Sequence, residues 1–322
     1  MLNVTRLATL LFLLLINGHA GLSRAQSTSA LSAPKRINKA IELLERGQPI
    51  YYTQVNGGGY EAGKALAQTW ADYITYNFEH SAFNVSELHE FMRGLVDGGP
   101  TKSGHRTPAV VCVLPVAGHD GAMVQANAWM VEQVLSAGVH GILLAHARSP
   151  EAVRALVRAA RFPMHTQAVG SGLEEGLRGS GAAGNPARVW GVSPAEYRRV
   201  ADPWPLNPDG ELLLGVKIED RHALEYAEAT TKVPGLGFAE WGPGDMSMSF
   251  GVSRNADGTW PPVLADARAR VLTATQAVGI AFLNVVRPDD VEAMIDEGVM
   301  IGAANQKAAE LGRQYTSRTM PW

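Results

Sequence analysis

The chain has 322 residues, nearly half of them apolar, with a formal net charge of −3 and one cysteine. So balanced a charge gives no reason to expect nucleic acid or an anionic membrane surface as a partner. A lone cysteine cannot form an internal disulfide, so the fold has to stand on its core, and the length admits one large α/β barrel or two smaller domains.

In chain order, the first signal is Arg6 followed by the apolar run Leu7–Ile16 and a small, polar stretch ending in Ser23-Arg24-Ala25. A charged start, an apolar middle and a small-x-small end are the layout of a secretory signal peptide, here residues 1–25, with cleavage after Ala25 or Ala20. The run is shorter than the ~20 apolar residues of a spanning helix. The expectation is therefore export to a periplasmic or extracellular location, without stable membrane insertion. Residues 26–35 read as a polar linker, and residues 36–322 as one folded domain.

From residue 36 onward, short apolar runs alternate with helical stretches. The predicted strands are Ile50–Thr53, Tyr73–Phe78, Ala109–Val116, Gly141–Ala145, Leu212–Ile218, Gly237–Trp241, Gly279–Val286 and Val299–Ala303. The predicted helices between them are Val85–Leu95, Met123–Ala137, Pro150–Ala160, Arg221–Thr231, Ala265–Ala277 and Pro288–Glu297. Alternation of this kind calls for a parallel sheet, and eight units call for a closed (β/α)₈ barrel rather than an open doubly wound sheet. Phe162–Asp209 is the longest stretch predicted as irregular, a length that fits a segment covering a site or mediating assembly.

Barrels of this class carry their chemistry at the C-terminal ends of the strands. Strand two ends in Asn77-Phe78-Glu79-His80, strand four near His146 and Arg148, strand five in Lys217-Ile218-Glu219-Asp220, and strand six in Glu240–Asp245. Glu219 and Asp245 fall on adjacent strands, and a pair of carboxylates there suits Mg²⁺ or Mn²⁺, which prefer oxygen ligands. The same spacing also permits Glu219 as a helix cap and Asp245 as part of an ordinary turn. Cys112 lies within an apolar run and reads as core. Gly179–Gly184 fits G-x-G-x-x-G, but no strand precedes it and no acidic strand end follows about 20 residues on, so no nucleotide cofactor is expected. No HExxH or paired CxxC signals zinc.

The segment Leu213–Asp220 (LLGVKIED), then a helix, then Val233–Leu236 and Trp241–Gly251 (WGPGDMSMSFG) resembles the metal-dependent 2-oxo acid aldolases of the HpcH/HpaI aldolase and citrate lyase family. The family pattern there reads QIET, a helix, and PGVDGVFIGPADLSASLG. Phe78–Phe83 (FEHSAF) is similar to its D-x-EH segment, and Gly176–Gly181 (GLRGSG) to its GIRGVG loop. The order agrees over roughly residues 39 to 312.

The resemblance implies a (β/α)₈ barrel with a divalent metal, Mg²⁺, Mn²⁺ or Co²⁺, on Glu219 and Asp245. It also implies a small 2-oxo acid as substrate, held as a metal-bound pyruvate enolate, with the backbone at Pro243-Gly244 facing it. His80 matches the catalytic histidine, which moves the proton of the aldol hydroxyl, and Glu79 the adjacent glutamate near the metal. Related barrels form hexamers of dimers or trimers that exchange a C-terminal helix, so a homo-oligomer, trimer or hexamer, is expected.

Three departures stand out. Asn77 replaces the aspartate that orients the histidine, no basic residue occupies strand three where the family has an arginine, and Lys217 replaces a glutamine. Lys217 is the expected source of the missing positive charge, as a point charge and not a bidentate fork. The reading is a carbon–carbon lyase of the class II aldolase type. The alternatives are oxaloacetate decarboxylation or citrate- or malyl-type cleavage on the same site, and an exported barrel that binds a small acid without turnover. His146 is an additional rim residue, open to a ligand contact or to a structural role.

Overall fold

The computed structural model describes residues 35–256 and 258–322, and the predicted signal peptide and nearly all of the linker lie outside them. Eight parallel strands form the barrel: β1 (Ile50–Val55), β2 (Tyr73–Asn77), β3 (Ala109–Val113), β4 (Gly141–Leu144), β5 (Leu212–Lys217), β6 (Phe238–Glu240), β7 (Ala281–Val285) and β8 (Val299–Ala303). β1 pairs with both β2 and β8, and β4 pairs with β5 through Gly141↔Leu213, which closes the ring. All eight predicted runs are strands of this barrel. They are legible because a strand covered on both faces reads as a continuous apolar stretch, and β3 is buried at every position.

Alternation sorts the side chains into two sets. Ile50, Val111, Leu143, Leu213, Phe238 and Ile301 belong to one buried cluster, which fills the barrel. Val110, Cys112, Ile142, Leu214, Val216 and Phe282 belong to the other and pack under the helices. Cys112 is a core thiol, its pKa pushed well up by burial. Gly215 is glycine because a Cβ there would come within 2.2 Å of the Phe238 ring that fills the barrel beside it. At the floor, the helix Lys39–Glu45, capped by Asn38, adds Ala40, Ile41 and Leu43 to the inner cluster.

Several helices differ from expectation. The predicted helix Met123–Ala137 is two helices, Gly121–Ala126 and Ala128–Ser136, broken at Asn127, whose side chain bonds back to the Met123 carbonyl at 2.9 Å. Arg221–Thr231 breaks in the same way at Tyr226. The connection Phe162–Asp209 is not irregular. It holds helices Gly184–Trp190 and Pro194–Val200, and Pro203–Trp204 pairs with β5. A buried Arg161–Asp202 ion pair at 2.8 Å ties it to the end of the helix Pro150–Ala160, and within it the Arg178 guanidinium lies over the Phe162 ring. The last helix, Gln306–Tyr315, packs on its own chain against Val291–Glu297.

Near the start of β4 the buried His140 ring stacks on Trp190 and accepts the Val110 N–H at 3.2 Å, and burial lowers its pKa to about 3. Between pH 6.5 and that value the unfolded chain binds a proton that the folded chain refuses, so stability is lost as pH falls through this window. At pH 4.5 the expected loss from this group is about 2–3 kcal/mol relative to pH 7. His140→Gln, which keeps an acceptor for Val110, should lack that component. Urea unfolding of both proteins at the two pH values measures it, and equal pH dependence would refute the assignment.

Candidate active site at the C-terminal rim

Four strand ends converge on one group of ionisable side chains. β2 ends on Asn77, whose Oδ1 accepts the Glu79 N–H at 2.8 Å and turns the chain so that Glu79 is buried over the barrel. β5 ends on Lys217, whose ammonium contacts Glu79 Oε2 at 2.5 Å and Glu219 Oε2 at 3.8 Å. Its register partner on β6 is Glu240, so both side chains point to the same face of the sheet. Glu219 lies two residues past Lys217 and is buried.

After β4 the backbone takes a left-handed turn at His146, with φ of 48°, unusual for a residue with a side chain. That turn aims the His146 N–H at Glu219 Oε1, 3.1 Å away, and sets its Nδ1 3.0 Å from Asp220 Oδ2. Asp220 also accepts the N–H groups of His222 and Ala223, capping the next helix, and the Nε–H of Arg148 at 2.9 Å. After β6, Gly242 is glycine for a second reason of space: a Cβ there would lie 2.5 Å from both Cβ and Oε2 of Glu219. Pro243 opens the helix Pro243–Phe250 and Asp245 lies in its first turn. The Gly-Pro-Gly stretch is thus a helix start and not a free turn, as Pro at the first helical position favours.

The electrostatics follow from this crowding of acids. Burial pushes the Glu219 carboxyl up against the pull of Lys217, and raises Glu240 to about 7. Burial disfavours the Lys217 charge, but Glu240, Glu219 and Glu79 outweigh it and hold the ammonium well above its usual range. The hydrogen bond to Asp220 raises His146.

Of the residues expected at the site, Glu79, Lys217 and Glu219 come together, joined by His146. Ligand atoms of Glu79, His146 and Glu219 all lie within 4.8 Å of one another. Asp245 is outside that set, half-buried, with its charge still acting on His146 and Glu240. His80 stands at the edge, 69% exposed, its ring 3.7 Å from Glu79 Oε2. The Asn77 side-chain oxygen accepts the Glu79 N–H, and the ion-pair partner of the His80 ring is Glu79. The Lys217 ammonium is paired with carboxylates on either side, Glu79 at 2.5 Å and Glu219 at 3.8 Å, so its charge is already balanced within the chain. Glu240 reads in the sequence only as part of the strand-six end, with no role, and His119, whose ring lies 5.8 Å from that of His146, is not anticipated there. Counting alternate residues from Phe238 would have turned Glu240 inward.

The profile of the HpcH/HpaI aldolase/citrate lyase family matches residues 69–307, which span β2 to β8 and every residue of this rim. The chain belongs to the HpcH/HpaI aldolase/citrate lyase family. Among curated members, a hydroxypyruvate/pyruvate aldolase of Delftia acidovorans is 27% identical, with 86% of this chain and 94% of that one covered. A hydroxypyruvate/pyruvate aldolase of Roseovarius nubinhibens is 31% identical over 69% of this chain and 74% of its own length. The barrel also matches a solved HpcH/HpaI aldolase/citrate lyase family protein from Burkholderia cenocepacia, with a TM-score of 0.62 at 20% identity, covering 84% of this chain and 93% of that one. The family's fold is thus present from the first strand to the last.

Proposed function

We propose that this member of the HpcH/HpaI family is a divalent-metal-dependent lyase that makes or breaks a carbon–carbon bond in a small 2-oxo acid, as a class II aldolase. The observation that carries the reading is the buried acid pair of Glu219 and Glu79, backed by His146, at the rim where such barrels do chemistry. The donor set fits a metal: Glu79 Oε1 is buried with no hydrogen-bond partner, an orphaned oxygen that costs free energy unless something positive meets it. Glu219 and Glu79 would hold the ion with His146 or Asp245 completing the set. Mg²⁺, Mn²⁺ and Co²⁺ all accept such ligands.

When bound, the cation supplies Lewis-acid stabilisation of charge developing on the substrate's keto oxygen. The protein's own groups do the rest. The His146 N–H and the wall of Gly242 fix the Glu219 carboxylate in place, removing motion that would loosen the site. The Gly244 N–H is the first donor of the helix behind Pro243, a dipole end suited to an anionic group. His80, exposed beside Glu79, moves the proton of the aldol hydroxyl. The leader-like N-terminus supports export, and the family likeness supports a trimer or hexamer.

The test is pyruvate release from a 4-hydroxy-2-oxo acid before and after EDTA. Release that stops with EDTA and returns with Mg²⁺, Mn²⁺ or Co²⁺ is expected, and metal-independent release overturns the reading. The apolar β3 favours weighing oxaloacetate decarboxylation alongside it, since that reaction asks nothing of an aldehyde-binding cation. Oxaloacetate and aldol substrates compared at equal metal separate the two.

A further inference from the structure

The rim holds Glu79, Glu219, Glu240 and Asp245 around a single lysine, so an anionic substrate needs a cation not already committed. The charge of Lys217 is offset by the carboxylates of Glu79 and Glu219 on either side of it. Arg148 meets that need. Its Nε donates to Asp220 Oδ2 at 2.9 Å, which holds the head of the side chain, and its backbone N–H donates to the Gly118 carbonyl at 2.8 Å. Its Nη1 and Nη2 have no hydrogen bond or ion pair among the described residues, and the side chain is 32% exposed.

Asp220 holds the His146 ring at 3.0 Å, and the His146 N–H holds Glu219 at 3.1 Å. Arg148 is therefore linked to Glu219 by contacts no longer than 3.1 Å, all between the adjacent strands β4 and β5. On the other side, His119 from the loop after β3 brings its ring beside that of His146.

We propose that Arg148 is the anchor for the substrate's carboxylate at this site. A guanidinium with two free amino groups forms the bidentate, planar pair a carboxylate favours, which a lysine cannot. The inference rests on the metal-dependent lyase reading and adds a demand to it: the accepted substrates carry a carboxylate next to the carbonyl that reacts, and their amides are excluded.

The probe is oxalate, small enough to offer one carboxylate to the metal pocket and the other to Arg148. Calorimetric titrations would measure Mn²⁺ affinity, and then oxalate affinity with Mn²⁺ present, for the wild type, Arg148→Met and Arg148→Lys. Arg148→Met should weaken oxalate about 10- to 100-fold with Mn²⁺ affinity unchanged, and Arg148→Lys, which keeps the pair with Asp220, should lose about half of that effect on a logarithmic scale. A role limited to holding Asp220 would instead lower Mn²⁺ affinity and melting temperature in Arg148→Met and spare Arg148→Lys, and that pattern overturns the proposal. Equal oxalate binding by the wild type and Arg148→Met overturns it while leaving the lyase reading intact. A wild type that binds no Mn²⁺, or no oxalate with Mn²⁺ present, overturns both.

Discussion

Glu219→Gln should abolish tight divalent-metal binding and lower kcat/KM by about 10³-fold with the fold unchanged. The amide has the shape of the carboxylate and still accepts the His146 N–H, and it still fits against Gly242. What it loses is charge, and a neutral oxygen is a poor ligand for a hard cation. Lewis-acid assistance of several kcal/mol disappears with the metal, and about 4 kcal/mol corresponds to the stated factor. The apo protein should become no less stable, because a buried charge is removed and Lys217 keeps Glu79 and Glu240. Mn²⁺ titration, steady-state rates and a thermal melt measure the three parts. A variant that still binds Mn²⁺ within threefold of the wild type would show that the metal rests on other residues.

Asp72→Asn should destabilise the protein by about 3–5 kcal/mol without altering kcat. Asp72 is fully buried between β1 and β2 at the end opposite the rim, and it meets Lys39 at 3.5 Å, Arg313 at 3.2 Å and Arg318 at 2.8 Å. None of these cations has another ion-pair partner among the described residues, so neutralising one acid leaves three buried positive charges. Burial alone would raise the Asp72 carboxyl, but Arg318, Arg313 and Lys39 hold it well below the usual range. Its contribution is therefore present above the pKa of the unfolded carboxyl and is lost only in strong acid. Urea unfolding at neutral pH gives the loss directly, and a midpoint equal to that of the wild type would show that the cluster stores no such energy.

The barrel was legible in the sequence because each strand is an apolar run buried on both faces, and that pattern survives without any tertiary knowledge. Helix interruptions were not. Asn127 and Tyr226 end helices through backbone angles that no local composition dictates. The helix carrying Asp245 was hidden because Gly-Pro-Gly reads as a turn until a strand is known to end just before it.

At the site, Glu79, Lys217 and Glu219 could be found by asking what ends each strand. Their pairing could not, since Lys217 was expected to meet a substrate and instead meets Glu79. His146 and Asp220 lie 74 positions apart and meet only because one residue adopts a left-handed conformation. The absent strand-three arginine was visible, whereas the free guanidinium of Arg148 needed coordinates.

The pairing of β4 with β5 also bears on the order of events during folding. Glu79, His146 and Arg148 precede the long connection and Lys217 and Glu219 follow it, so the two halves of the pocket meet only when Gly141 finds Leu213 across that connection. Contacts so distant in sequence form late, after the entropy of closing the loop has been met. A cation that needs both halves acts as a latch on the finished ring. It slows opening, and it leaves the rate of closure as it was.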